Sequence, residues 1–158
     1  MIAIRTAASA WTLAFVMLLP AICLAADDLA GWEDGSEYNK LYTPDEREDF
    51  KAKIHRVIEV TPMEGMAPGV GLIVIEKGTD EQIEVQMGPE SYVKPKISIF
   101  KPGDMVKVYG VWSELDGKDV FLCNKVKRLS DEKQVKVRRT RDGKAWWNMT
   151  PEELAKEE

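Results

Sequence analysis

Hydrophobic and polar side chains alternate along the middle of the chain, and this alternation predicts short β-strands. In FKAKIHRVIEV, residues 50–60, apolar residues such as Phe50 and Ala52 share one parity, while lysines and a histidine occupy the other. Such a pattern is typical of a strand with one buried face. Arg56 and Val57 interrupt the two faces, which predicts a β-bulge at that point. Similar segments predict five more strands, at residues 70–76, 82–87, 105–112, 120–129 and 134–140.

Turns containing glycine separate most of these strands, and one longer interruption indicates the fold class. The interruption, GPESYVKPKISIF at residues 88–100, follows the third strand and contains two prolines, which exclude one regular helix across its whole length. An OB-fold places its connecting element at this point of the chain. We therefore expect an all-β protein, a small five- to six-stranded OB-fold-like barrel, with an SH3-like barrel as the alternative.

The flanking segments predict an arm and a tail around this barrel, which is expected to span residues 50–147. Residues 26–49 form an acidic N-terminal arm, whose Trp32 and two tyrosines are expected to hold it against the barrel. Residues 148–158 form a C-terminal helical tail, because they contain a threonine suited to an N-cap followed by a proline suited to the first helical position.

The first 25 residues have the organisation of a secretory signal peptide. Arg5 is the one charged residue before Asp27, an apolar run follows it, and small residues stand at Ala25 and Ala26. We expect cleavage after Ala25, with cleavage after Ala26 as the alternative, and a periplasmic protein. An uncleaved anchor is the alternative, since the run is about 20 residues long and could span a bilayer. Contact with a membrane is expected only through such an anchor.

Charge is distributed unevenly, and this raises the question of polyanion binding. The whole chain carries a net charge of -5, but residues 125–144 contain nine basic residues and three acidic ones. Such a patch attracts anions even on an acidic protein. Arg138, Arg139 and Arg141 are the candidates for binding a polyanion, with Trp147 as a stacking platform.

A structural role is the favoured interpretation of the same stretch. Even-numbered positions of the last strand are expected to face solvent, and the charge of the basic stretch is expected to balance that of the acidic arm. Trp146 is expected inside and Trp147 more exposed, because adjacent strand residues face opposite sides. OB-folds usually hold ligands across the second and third strands, which here carry acids and no aromatic ring. A nucleic-acid partner is therefore not expected.

The residues that usually carry catalysis or bind metals are few. The one histidine, His55, is on the polar parity of the first strand, and Cys123, the one cysteine beyond the signal, lies in an apolar strand as a small buried residue. Together they make neither a catalytic triad nor a zinc site. We expect no enzyme and no cofactor. A cation site among the carboxylates of residues 27–37 remains a hypothesis, although their spacing is not that of a calcium loop.

Three stretches resemble a group of small exported bacterial OB-fold proteins. They are VQMGPESYV after the third strand, FKPGDMVKVYGVW across the fourth and VKVRRTRDGKAWW near the end. Members of this group are mostly accessory or binding proteins, and some resemble components of magnetosome or respiratory assemblies. The resemblance implies a binding module of the cell envelope.

The sequence therefore predicts a non-enzymatic periplasmic module that binds a partner protein of the cell envelope or a small ligand. Its expected contact surfaces are the basic stretch with Trp147 and the loop TPMEGMAPGVG, in which Met63 and Met66 are expected to be exposed, adaptable contacts. Two alternatives remain open. One is binding of an oligonucleotide or acidic polysaccharide through residues 125–144, and the other is a metal-linked accessory role.

Overall fold

The computed structural model describes residues 27–157, so the predicted signal peptide lies outside the described residues. The strands are β1 (Glu48–Val60), β2 (Gly69–Glu76), β3 (Gln82–Pro89), β4 (Met105–Leu115), β5 (Lys118–Arg128) and β6 (Gln134–Lys136). The α-helices are α1 (Glu90–Ile97) and α2 (Pro151–Ala155), and short 3-10 turns span Asn39–Leu41, Pro44–Glu46 and Trp146–Asn148. The predicted all-β class with short terminal helices is confirmed.

The six strands form one ring-like sheet. Hydrogen-bonded neighbours follow the order β3-β2-β1-β4-β5-β6, and β3 also pairs with β5 in parallel, which joins the first five strands into a ring. The other strand pairs are antiparallel. The main core lies inside this ring and is built from alternating strand residues such as Ile54, Leu72, Val85 and Phe121. The hydrophobic alternation in the sequence therefore marks the inner face of the ring.

Strand β1 contains the bulge that its sequence predicts. Its register against β2 shifts between Ile54 and Arg56, and His55 between them is exposed. A bulge bends and twists the strand that carries it. The bulge lies where the pairing of β1 changes. Residues 48–53 pair with β4, and residues 52–60 pair with β2.

The interruption after β3 folds into helix α1 despite its two prolines. Pro89 immediately precedes the helix, where a missing N–H does no harm, and Pro95 lies in the second turn. Val93 and Ile97 are buried and attach the helix to the main core. The helix is eight residues long. Within residues 27–157, no helix is both long enough and apolar enough to cross a membrane.

The N-terminal arm packs against the outside of the ring and forms a second core. Trp32 and Tyr38 are buried there together with Leu122 on the outer face of β5. The indole N–H of Trp32 donates to the carbonyl of Ala67 at 2.9 Å, and the hydroxyl of Tyr38 donates to Gln86 at 2.9 Å. The aromatic residues hold the arm against the sheet, as the sequence predicts.

Two glycines allow indole rings to lie directly on strands β2 and β3. A Cβ atom on Gly69 would collide with the ring of Trp32, and one on Gly88 would collide with the ring of Trp147. The two indoles meet edge to face, with ring centroids 5.9 Å apart. The indole N–H of Trp147 donates to the carbonyl of Trp32 at 2.8 Å, so the C-terminal part of the chain is fastened to the arm.

The last strand is shorter than its alternation predicts. It ends at Lys136 because the backbone N–H groups of Val137 and Arg138 both donate to the carbonyl of Asn124, at 2.9 and 3.0 Å. Two residues facing one form a β-bulge, which moves the following side chains to the opposite face. Arg138 is consequently buried, with 4% of its surface exposed. The prediction that this even-numbered position faces solvent is wrong.

Candidate functional site

The outer surface of β1, β4, β5 and β6 carries lysines that the strand register places side by side. Lys107 on β4 lies between Lys51 on β1 and Lys127 on β5, and Lys125 lies opposite Lys136. Like charges directly opposite each other destabilise a sheet, so packing does not account for this arrangement. We refer to this surface as the cationic face, made up of Arg47, Lys51, Lys107, Lys125, Lys127 and Lys136 around Tyr109.

Tyr109 lies at the centre of the cationic face. Its cross-strand neighbours are Asp49 on β1 and Lys125 on β5. The Nζ atom of Lys125 is 4.5 Å from the centroid of the tyrosine ring, and that of Lys107 is 5.1 Å away. These distances suit cation–π contacts, which hold ammonium groups over the ring. The face therefore presents a flat ring between two positive charges.

The positive charge of the cationic face is only partly neutralised. Lys107 and Lys127 each pair with a carboxylate at 2.8 Å. Within residues 27–157, no ion pair involves Lys125 or Lys136. Burial lowers the pKa of Lys125, and the positive charges of Lys136 and its neighbours lower it further. An anion bound at this point would relieve that repulsion.

A groove of about 320 Å³ leads from the edge of the cationic face toward the C-terminal tail. Lys125 and Lys136 belong to both surfaces, and Trp146 forms part of the wall of the groove. We refer to it as the basic groove. Its lining residues are Lys125, Gln134, Lys136, Arg138, Arg139, Thr140, Arg141, Trp146 and Glu157.

Arg138, which the sequence singles out for polyanion binding, is held inside the protein. Its guanidinium donates to Asn39 Oδ1 at 2.7 Å and to the carbonyl of Gly143 at 3.2 Å. The same group lies 4.7 Å from the ring centroid of Tyr42 and 5.5 Å from that of Trp147. Burial lowers the pKa of this guanidinium. Arg138 lines the basic groove but is 4% exposed, and its guanidinium joins the N-terminal arm to the turn at residues 139–143.

Arg139 and Arg141 lie at the basic groove, but carboxylates already meet their charges. Arg139 pairs with Asp142 and, at 3.3 Å, with Glu157, while Arg141 pairs with Glu157 at 2.7 Å. The balancing acids come from the adjacent turn and the C-terminal tail. The prediction that the acidic arm balances these residues is therefore wrong.

The two tryptophans depart from the predicted arrangement because they lie in the 3-10 turn Trp146–Asn148 and not in a strand. Both are half-buried. Trp147 packs against both cores, and its ring centroid is 5.7 Å from that of Tyr92. Trp147 is therefore not the exposed platform that the alternation predicts, and Trp146 is the tryptophan at the basic groove.

Met63 and Met66 are half-buried and not exposed as the sequence predicts. Both pack against the outer core that the arm completes. The side chain of Met66 occupies the space where a Cβ atom on Gly31 would lie. Flexible thioether side chains fill irregular gaps well, so these methionines serve as packing beneath the arm.

The cleft beside β3, near which an OB-fold is expected to hold its ligand, is acidic. It has a volume of about 370 Å³ and lies between the end of β1, β3 and the turn after β4. Its walls carry Glu59, Glu84 and Asp116 but one ammonium group, that of Lys118, which pairs with Glu84. Burial raises the pKa of Glu84, but hydrogen bonds from Gln86 and Lys118 outweigh it and lower the pKa. Such a cleft repels polyanions.

Cys123 and the carboxylates are the side chains that bear on catalysis and metal binding. Cys123 is a free thiol in the main core, and burial raises its pKa, as expected for a small buried residue without reactivity. Among residues 27–157, no three histidine, cysteine or carboxylate side chains are grouped so that they could hold a metal ion.

The sequence reasoning missed the centre of the cationic face. The basic stretch identified in the sequence, residues 125–144, includes Lys125 and Lys136. It does not include Tyr109, Lys107 or Lys51. The available signal was the alternation itself, because these residues occupy the polar parity of their strands. The pairing of β1 with β4, which brings them together, is a tertiary feature that alternation does not encode.

The turn that borders the basic groove is expected to make stability depend on pH. A hydrogen bond from Arg139 lowers the pKa of Asp142 from its ordinary value of 3.8 to about 2. A carboxyl whose pKa is lowered by folding stabilises the protein above its ordinary pKa, and that contribution is lost as the pH falls through about 2. Asp142→Asn should therefore flatten the decline in melting temperature between about pH 4 and pH 2. Asp131, whose pKa Arg128 also lowers to about 2, remains in both proteins, and an identical decline would contradict the prediction.

Comparison with known proteins identifies the family to which the chain is similar. A search of curated proteins finds no match. Residues 46–137 match the MamS/MamX magnetosome protein family, a span that covers more than half of the 158 residues. The matched span contains the six strands, helix α1 and the whole cationic face. The chain therefore belongs to the MamS/MamX magnetosome protein family.

Proposed function

We propose that the protein is an exported, non-catalytic accessory module of a magnetosome assembly, and that it binds an acidic segment of a partner protein through the cationic face. The family match supports the association with magnetosomes. The ring-like sheet, with α1 between β3 and β4, supports an OB-fold. The early Arg5 followed by an apolar run supports export to the periplasm.

The observation that carries the proposal is the row of lysines opposite one another on three neighbouring strands. Lys51, Lys107 and Lys127 form one row, and Lys125 and Lys136 continue the positive charge into the next. Such repulsion is relieved when an acidic partner lies across the strands. Electrostatic complementarity of this kind speeds association and selects the partner.

A protein partner fits this surface better than a nucleic acid does. Nucleic-acid binders of this fold combine positive charge with several aromatic rings on which bases stack. The cationic face offers a single ring, that of Tyr109, among the described residues. The cleft beside β3 is acidic and would repel a strand of phosphates. We therefore retain polyanion binding only as the competing outcome of the test.

Loss of two lysines from the face is expected to weaken binding of a fluorescein-labelled oligoglutamate peptide roughly 3- to 30-fold, since each exposed charge pair contributes up to about 1 kcal/mol. The variant is Lys125→Gln with Lys136→Gln, and fluorescence anisotropy at two salt concentrations measures the affinity. The control is Lys94→Gln with Lys101→Gln, which removes the same charge from exposed lysines in α1 and the turn after it.

Three outcomes decide the proposal. Loss of affinity in the first variant but not in the control, together with binding that weakens as salt is added, supports it. Equal losses in the two variants would show that net charge alone matters. Tighter binding of single-stranded DNA than of oligoglutamate would favour the polyanion function.

A further inference from the structure

The C-terminal tail places a carboxylate inside the basic groove. Glu157 Oε1 lies 2.7 Å from Arg141 Nη2 and 3.3 Å from Arg139 Nη1. The glutamate side chain is 16% exposed, although it lies only a few residues beyond α2. A peptide carboxylate is therefore already seated between two guanidinium groups of this groove, which shows the kind of group that the groove accommodates.

The tail is firmly held at its start and loosely at its end. Thr150 caps α2 by accepting from the N–H of Glu153 at 3.2 Å, and Glu153 pairs with Lys144 at 2.8 Å. Residues 155–156 are exposed. The side-chain contacts of Glu157 are its two ion pairs with arginines. Within residues 27–157, this end is held by those two ion pairs and by one backbone hydrogen bond, from Glu157 N–H to the carbonyl of Leu154 at 3.0 Å. The end of the tail can therefore leave the groove while the rest stays in place.

The wall of the groove contains a donor without an acceptor. The indole Nε1 of Trp146 is buried and makes no hydrogen bond within residues 27–157. Most buried donors in proteins are paired. Trp146 lines the basic groove, so its indole adds an unpaired donor to the side chains of that wall.

We infer that the basic groove is a binding site for a glutamate or aspartate side chain of an acidic peptide, and that Glu157 occupies it in cis until such a peptide displaces the tail. The inference rests on the proposed function, because Lys125 and Lys136 line both the cationic face and this groove. It adds a defined subsite, formed by Arg139 and Arg141, and a competitor built into the chain. An acidic partner segment crossing the cationic face would end in this subsite.

Removal of the competing carboxylate is expected to tighten binding. In the purified full chain, Glu157→Gln should bind the labelled oligoglutamate peptide roughly 2- to 10-fold more tightly than the wild type, a range set by the ion pair with the exposed Arg141. Glu152→Gln is the matched control, because Glu152 is exposed in the first turn of α2 and has no ion pair among the described residues. A free peptide with the sequence TPEELAKE, residues 150–157, should compete with the probe for the Glu157→Gln protein.

The outcomes separate this inference from the proposed function. If the wild type binds oligoglutamate through its lysines but Glu157→Gln binds no more tightly, the function stands and the competition by the tail is wrong. Equal tightening in Glu152→Gln would overturn the inference as well, since net charge would explain it. If neither protein binds oligoglutamate, both ideas fail. If Glu157→Gln strengthens the binding of single-stranded DNA alone, the groove takes a nucleic acid and the inference is wrong.

Discussion

Replacing Trp32 with alanine is expected to lower the free energy of unfolding by about 3–5 kcal/mol, the usual effect of removing a large buried aromatic side chain. The indole is fully buried, and its ring centroid lies 4.8 Å from that of Tyr38 and 5.9 Å from that of Trp147. Its N–H satisfies the carbonyl of Ala67, which the substitution would leave unpaired. Urea unfolding followed by circular dichroism measures the change, because loss of a tryptophan alters the fluorescence signal itself.

Trp112 provides the matched control for this substitution. It is also a tryptophan packed against other rings, those of Phe50 and Phe121, but 40% of its surface is exposed. Trp112→Ala should therefore lower the free energy of unfolding by roughly 1–2 kcal/mol. A smaller loss for Trp32→Ala than for Trp112→Ala would show that the arm contributes little to stability.

The reason to expect the larger effect is that the arm connects both ends of the described chain. The carbonyl of Trp32 accepts hydrogen bonds from Asn39, Trp147 and Asn148, at 2.7, 2.8 and 2.9 Å. Removing the indole would leave a cavity beside the backbone carbonyl that accepts these three hydrogen bonds. The arm and the turn at residues 146–148 should consequently loosen together, and not one after the other.

Features that depend on local spacing could be predicted from the sequence. The two-residue period of β1 and its interruption near Arg56 are properties of consecutive residues, so both the strand and its bulge were found. The same holds for α2, whose Thr150 and Pro151 form a start signal that needs no knowledge of the rest of the fold. A ring-like sheet of six strands followed from the number and spacing of such segments.

Features that depend on long-range hydrogen bonds could not be predicted. The carbonyl of Asn124 accepts two consecutive N–H groups, and this reverses the faces of the residues after Lys136. A prediction from the sequence alone assumes that the alternation continues unchanged past Lys136, and it therefore placed Arg138 on the surface. The cationic face was only half found for a related reason, since the register of β1 against β4 decides which lysines meet Tyr109.

Replacing Arg138 with alanine is expected to lower the free energy of unfolding by about 2–4 kcal/mol. The substitution removes hydrogen bonds to Asn39 and Gly143, removes the cation from between the rings of Tyr42 and Trp147, and leaves a cavity. The control is Arg141→Ala, which removes the same side chain where it is 63% exposed, and which should change stability by less than about 1 kcal/mol. Thermal and urea unfolding of the two variants measure the difference.

Substitution of Arg138 also distinguishes the structural from the ligand-binding interpretation of the basic stretch. Loss of a buried structural guanidinium should change stability but not affinity, whereas loss of a ligand-binding one should change affinity. Arg138→Met keeps the side-chain volume and removes a charge that has no carboxylate partner within residues 27–157, so it should fold better than Arg138→Ala. If the guanidinium serves only to join the arm to the turn, this variant should bind oligoglutamate with the affinity and salt dependence of the wild type, while both are reduced in Lys125→Gln with Lys136→Gln. A stable Arg138→Met protein whose binding is as weak as that of the lysine variant would place Arg138 at the ligand. That result could be reconciled with its burial only if the turn at residues 139–143 opens when the acidic segment binds.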